Sequence, residues 1–328
     1  GWVDYLASRT QDGIVDYSYY GDWSPPTQFA AAPGSAVSRD TPGQLMSTGY
    51  LYYCASMLSK MAELTGRDSD KARYAQLAER TAEAFNRTYW NEQTGGYAAN
   101  NQAANSFALF LGIVDETRIP RVVKNLADDV EKHDYHLTTG NLCTKYLMEM
   151  LTRYGHAETA YRIATQTTYP SWGYMLQNGA TTLWERWEYA TGDEMNSHNH
   201  PMMGSIDSWF YKYLLGIVPD DEHPGFDRFT IHPYVVDDLE FAEGEFNSVK
   251  GMIRSGWSKK NGVLSLNVTI PANSVATVYV PSSRVGSITE SGKNAAKAPS
   301  VRFLGEQDGC GVFEVGSGDY RFRSTLKK

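Results

Sequence analysis

The sequence predicts a mainly helical domain followed by an antiparallel β-sandwich. Three observations carry this. Apolar residues recur at three- to four-residue spacing through the first two thirds of the chain. Near residue 217 that spacing gives way to alternation of apolar and polar residues. Beyond it, turn residues separate short strand patterns at intervals of roughly 8–12 residues. A chain of 328 residues is long enough for two domains with a sizeable core. They are placed at 1–217 and 218–328, with the change of pattern at 217–226.

The elements follow in order. "GWVDYLA" opens the chain already inside a helical pattern, with no preceding cap. "SRTQDGIVDYSYYGDWSPPTQFAAAPGSAVSR" is long, aromatic and rich in turn residues, and loops of that length in a compact domain usually serve function. "DTPGQLMSTGYLYYCASMLSKMAEL" reads as a helix capped by Asp40, and "SDKARYAQLAERTAEAFNRTYW" as a second, capped by Ser69 or Asp70. Further helical patterns cover 101–113, 117–132, 140–153, 155–167 and 201–215, giving about eight helices by the apolar-spacing rule. In the second domain "KKNG" marks a hairpin turn between alternating runs.

Composition narrows the function. Thirty Lys and Arg against 38 Asp and Glu give a net charge of −8, which argues against nucleic acid and anionic membranes as partners. No apolar run reaches the 18 or so residues of a membrane span. No signal-like segment opens the chain, and localisation stays open between cytoplasm and periplasm or secretion. Cys54, Cys143 and Cys310 are far apart and odd in number, so they read as reduced, buried thiols rather than a disulfide framework. No Gly-rich phosphate loop, GxSxG elbow or HExxH motif is present, and no cofactor is expected.

Two stretches hold chemistry-bearing residues. In "YGDWSPP", Asp22 and Trp23 lie in a loop that the prolines keep from being helical. An indole face packs on the apolar face of a sugar, and a carboxylate takes its hydroxyls. The plainer reading has Trp23 plugging the core and Asp22 capping a turn. The second stretch, "YPSWGYMLQNGATTLWERWEYATGDEMNSHNHPMMGSIDSWFY", gathers Trp172, Trp184, Trp187 and Trp209 with Glu185, Glu188, His198 and His200. Glu185 follows "TTLW", an extended or turn segment that lets its carboxylate point into a cleft. A carboxylate walled by indoles is partly desolvated, a setting that suits proton transfer. The plainer reading pairs Glu185 with Arg186. The His-x-His of His198 and His200 suggests metal, but no third ligand at helical spacing supports it, and no metal is expected. Hydrolysis of a glycosidic bond is the chemistry these parts fit, because it needs carboxyl groups flanking the scissile bond and no cofactor.

"YGDW", "TTGNL", "YPSWGYMLQNGATTLWERWE", "NSHNHPMMGSIDSWFYKYLLGI" and "VKGMIRSGWSKKNGVLSLNVTIPANSVATVYVP", in this order, resemble the α-L-rhamnosidases nearly from end to end. The resemblance implies a six-hairpin α/α toroid followed by the β-sandwich. It also implies an inverting hydrolase that releases terminal L-rhamnose from a glycoside or oligosaccharide. On this resemblance Glu185 is the general base, His200 contacts the sugar and Trp23 lines the rhamnose pocket. Asp22, Trp172, Trp184 and Trp187 lie in matching motifs and are taken as pocket residues. The family's general acid lies in a segment like "DERxGWxGD", which these 328 residues do not contain. A toroid of six hairpins needs twelve helices, so this one is incomplete. The chain is therefore expected to be inactive alone, with the remainder supplied by an upstream segment or a partner chain. The alternatives are a non-catalytic rhamnose-binding or scaffold protein, and the same fold acting on another sugar.

Overall fold

A computed structural model describes residues 1–18, 20–192 and 196–327. The chain divides into two compact units, Gly1–Ile206 and Asp207–Lys328.

The first unit is helical. α1 (Trp2–Ser8) leads into a two-residue ladder of β1 (Thr10–Gln11) and β2 (Ile14–Val15). α2 (Gly43–Leu64) and α3 (Asp68–Tyr89) form a hairpin, followed by the small ladder β3 (Trp90–Asn91) and β4 (Gly96–Tyr97). α4 (Gln102–Leu111), α5 (Ile119–Lys132), α6 (Cys143–Arg153), α7 (Ala157–Ala164) and α8 (Trp172–Gln177) complete it. α9 (Ser205–Trp209) straddles the division and runs on as a π-helical turn, Phe210–Leu214.

The helices alternate between two environments. α4 buries every residue except Phe110, and α6 every residue except Lys145 and Arg153. α3 buries only Ala78, Thr81, Ala84 and Phe85, and α7 only Ala160 and Ile163. α4 and α6 are thus inner helices, while α3, α5 and α7 each turn one apolar stripe inward, the layering of an α/α toroid. α2 packs closely on α4. At Gly49 of α2 a Cβ would stand 2.3 Å from a ring carbon of Phe107 in α4, so only glycine fits that crossing. Phe85 and Phe107 are fully buried, each contributing roughly 1.5–3 kcal/mol.

All eight expected helical patterns appear, with differences at their ends. Asp40 does not cap α2: Pro42 holds extended backbone (φ −60°, ψ 139°), the helix begins at Gly43, and Asp40 pairs instead with Arg39 at 2.7 and 2.9 Å. Ser69 and Asp70 do not cap α3, because it starts one residue earlier, at Asp68. Asp68 and Asp70 sit in its first turn, where negative charge suits the helix dipole. The pattern at 201–215 is three windings in series, a 3₁₀ turn at Pro201–Gly204, α9 and the π turn. α8 was not expected. Its six residues are too few for periodicity to show, although Ser171 caps it by accepting from the Tyr174 amide at 2.9 Å. Cys143 and Cys310 are buried free thiols, whereas Cys54 is only half-buried.

The second unit is two sheets. Its strands are β5 (Ile217–Pro219), β6 (Arg228–Ile231), β7 (Phe241–Ser248), β8 (Gly251–Lys260), β9 (Val263–Ile270), β10 (Val275–Pro281), β11 (Thr289–Glu290), β12 (Lys293–Asn294), β13 (Val301–Gln307), β14 (Cys310–Val315) and β15 (Gly318–Thr325). One sheet runs β13-β14-β10-β6-β5 and the other β12-β11-β15-β9-β8-β7. Pairing is antiparallel among the described strands except for β6 with β10, which is parallel. The β8–β9 hairpin turns on Asn261 and Gly262, whose φ of 52° and 73° place both in the left-handed region a two-residue hairpin needs. Inward residues such as Ile253, Trp257, Leu266, Val278, Phe313 and Phe322 make one core between the sheets.

Candidate active site

Glu185 lies in an irregular segment of the helical unit and is 2% exposed. Its backbone is fixed by a strand-like pairing with a second irregular segment. The Glu185 amide donates to the Ser197 carbonyl at 2.8 Å, and the His200 amide to the Leu183 carbonyl at 2.9 Å. The Thr182 hydroxyl donates to the carbonyl of His198 between them. The carboxylate is held at both ends: Oε1 accepts from Trp23 Nε1 at 3.2 Å and Oε2 from the Ser197 amide at 3.1 Å. Each carboxylate oxygen has two lone-pair sites, so one on each remains for another donor. Arg186 does not pair with Glu185. It bonds Glu188 at 2.6 Å and the carbonyls of Gly34 and Ser35, tying the turn at 34–35 to this segment.

Trp23 is half-buried, with Tyr20 edge-on at 4.8 Å. Its position is set one residue earlier. Asp22 is 1% exposed, and its two oxygens accept from the Gly140 amide at 2.7 Å and the Cys143 amide at 2.9 Å. The Asn141 amide then donates to the Trp23 carbonyl at 2.7 Å. A Cβ on Gly140 would lie 2.2 Å from that carbonyl oxygen, so the approach requires glycine there. Burial pushes the Asp22 carboxyl up to about 6, outweighing the hydrogen bonds from Cys143, Gly140 and Leu142 that lower it. Asp22 thus departs from its expected place as a pocket residue offering oxygens to a sugar. Both oxygens are committed to backbone at the start of α6, which makes it a positioning residue for Trp23.

Trp172, Trp184 and Trp187 are buried in the same unit. Trp172 (8% exposed) and Trp187 (0%) meet edge to face at 5.3 Å. Their indole nitrogens donate to the carbonyls of Met203 at 3.0 Å and Thr139 at 2.9 Å. Trp184 packs edge-on to Tyr189 at 5.1 Å. His198 stacks on Tyr189 at 4.7 Å and bonds the Ala190 carbonyl. His200 is half-buried, and its Nδ1 accepts from the Met202 amide at 3.4 Å, capping the 3₁₀ turn.

The structure therefore joins Asp22, Trp23 and Glu185 in one hydrogen-bonded series and ties His200 to the Glu185 backbone. A pocket of about 380 Å³ in the same unit is lined by Tyr50, Asn141, Lys145, Tyr146 and neighbours. It shares Asn141 with this series, but neither Glu185, Trp23 nor His200 lines it. Sequence reasoning missed the roles of Gly140, Cys143 and Ser197. All three act through backbone amides, and the quoted "TTGNL" and "NSHNH" pointed to their segments without singling them out.

Residues 1–214 match the model of the bacterial alpha-L-rhamnosidase 6 hairpin glycosidase domain, and residues 216–295 that of the bacterial alpha-L-rhamnosidase C-terminal domain. An alpha-L-rhamnosidase of Streptomyces avermitilis is 32% identical over 98% of this chain and 29% of its own length. The structure of alpha-L-rhamnosidase from Dictyoglumus thermophilum superposes with a TM-score of 0.89 at 38% identity, over 99% of this chain and 36% of that one. The crystal structure of the Streptomyces avermitilis enzyme complexed with L-rhamnose gives a TM-score of 0.87 at 30% identity, over 98% and 30%. The chain thus spans about a third of the length of the relatives it matches. With its layered helices, its two-sheet unit and matches that cover both, the chain belongs to the bacterial alpha-L-rhamnosidase family, in its six-hairpin glycosidase domain and C-terminal domain.

Proposed function

We propose that the chain is the larger part of the catalytic domain, with the C-terminal sandwich, of an enzyme that releases terminal L-rhamnose from glycosides with inversion. Glu185 is the general base. It holds the water that attacks the anomeric carbon, while Trp23 and His200 contact the sugar, backed by Trp172, Trp184 and Trp187. The observation that carries this reading is the grip on Glu185. Two N–H donors hold the carboxylate in place and leave a lone-pair site on each oxygen for water. Hydrolysis also needs an acid for the leaving oxygen. Asp22 does not supply it, because its oxygens face the backbone amides of one turn, at Gly140 and Cys143, rather than a half-exposed side chain that a ligand can touch. We assign the acid to an upstream segment or a partner chain, which makes the 328 residues inactive alone.

The test is proton NMR of the first-formed sugar, using the chain together with whichever polypeptide completes its activity and an aryl α-L-rhamnoside. Inversion is the expected result, with the acid roughly 6.5–9.5 Å from Glu185. A retained anomer would make Glu185 a nucleophile and end the reading. Failure to turn over any rhamnoside, with rhamnose still bound, would favour the non-catalytic sugar-binding alternative.

A further inference from the structure

The outward face of the six-stranded sheet forms a groove of about 1120 Å³, built wholly within the second unit. Strand register arranges its side chains in rungs across β7, β8, β9 and β15. One rung is Glu245, Arg254, Thr269 and Asp319, and it is closed upon itself. Arg254 bonds Glu245 at 2.7 Å, and the Thr269 hydroxyl donates to Asp319 at 2.6 Å. The next rung is Glu243, Gly256, Asn267 and Arg321, and it is open. Among the described residues, the side chains of Glu243, Asn267 and Arg321 have no hydrogen-bond or ion-pair partner, and all three are exposed.

Gly256 makes the gap. Neighbouring strands lie about 4.8 Å apart, so Glu243 and Asn267, two strands apart, are about 10 Å apart at the backbone with no side chain between them. That width takes one pyranose ring with a hydrogen bond on either side. A carboxylate and an amide together accept from and donate to vicinal hydroxyls, and Arg321 adds donors beside Asn267. Two residues along β7, on the same face, Phe241 is 59% exposed and offers an apolar platform at one end of the gap. The free charges are one of each sign, which suits a neutral polyhydroxyl ligand over a phosphate or a polyanion.

We propose that this groove is a second carbohydrate-binding site, which seats a sugar unit of a neutral oligosaccharide over Gly256 between Glu243 and Asn267. It would hold a glycan chain near the protein without taking part in bond cleavage. The choice of a rhamnose-bearing glycan as probe rests on the function proposed above, whereas the groove itself does not.

The experiment is affinity electrophoresis of the 328-residue chain through gels with and without a neutral, rhamnose-bearing plant polysaccharide. Retardation is expected for the unaltered chain. Gly256→Val should weaken the apparent affinity about tenfold by filling the gap, the scale of one or two lost hydrogen bonds. A Cβ at Gly256 meets Glu243 Cβ at 3.2 Å, a contact an exposed side chain relieves by a small shift. Glu243→Gln and Asn267→Ala, both at exposed positions, should weaken it severalfold with an unchanged melting temperature. No retardation of the unaltered chain, or equal retardation of all three variants, would overturn the proposal. Retardation lost in Trp23→Ala but kept in the groove variants would place binding in the helical unit and also overturn it. Groove-dependent retardation by a protein that proves not to be a hydrolase would defeat the function proposed above and leave this site standing.

Discussion

Two carboxylates in the helical unit are almost equally shut off from solvent, Asp22 at 1% exposure and Glu185 at 2%, and each is gripped by two N–H donors. They differ in where the donors come from. Those of Asp22 are both backbone amides of one turn, at Gly140 and Cys143, so the residue joins loop to helix. Those of Glu185 come from an indole and an amide on two separate segments, and the indole is itself half-buried. Burial and hydrogen bonding alone therefore do not separate the carboxylate proposed to react from one that supports. The proposal turns on the donor's own exposure, because a half-exposed indole gives the neighbourhood of Glu185 a wall that a ligand can touch.

The comparison is broken most directly by isosteric substitution at each carboxylate. In the active enzyme proposed above, Glu185→Gln should lower turnover about 10²- to 10⁴-fold, the usual worth of a general base. Rhamnose affinity and the melting temperature should change little. Near-normal turnover of the folded variant would leave Glu185 in the same supporting class as Asp22.

The turn that grips Asp22 comes next. Gly140→Ala drives a methyl against the Trp23 carbonyl, and backbone cannot yield as a side chain can. A loss of about 1–3 kcal/mol in denaturant unfolding is expected, together with weaker sugar binding as Trp23 shifts. Unchanged stability would mean that the approach of the two segments is looser than described.

The smallest effect is the pH dependence of Asp22. Its folded carboxyl is raised from 3.8 to about 6 by burial, so the folded chain binds this proton more tightly than the unfolded chain. Its contribution to stability is therefore most favourable below about 4, declines as pH rises through about 6, and stays at its least favourable above that. Cys143 and Tyr50, which interact electrostatically with it, are both pushed upward and stay neutral in that window. Unfolding free energies of the unaltered chain and of Asp22→Asn, compared from pH 4 to 7.5, should differ by an amount that shifts in favour of the variant as pH rises. A difference that is flat across this range would remove Asp22 as a titrating group.

Much of the fold was legible in the sequence because long amphipathic helices such as α3 and α5 repeat their apolar stripe for several turns, and the strands of β8 and β9 alternate cleanly around Asn261–Gly262. What was not legible had short-range or backbone causes. α8 is too short to show a period. Asp40 looked like a cap, but Pro42 set the helix start beyond its reach. At the site, the tryptophans and Glu185 stood out by residue type, whereas the bond between Trp23 and Glu185 leaves no trace in spacing. The work of Gly140, Cys143 and Ser197 is done by amides that any residue other than proline possesses, so residue type could not announce it.

The Trp23–Glu185 bond closes over 162 positions of chain. A contact of such sequence separation forms only after its ends have been brought together at an entropic cost, which the intervening hairpins reduce by folding first. During synthesis, Trp23 emerges long before its acceptor exists. During refolding, helical signal from α2 through α7 should return ahead of the environment around that indole. On this order the carboxylate should be set in place last, when the framework that must constrain it has already formed.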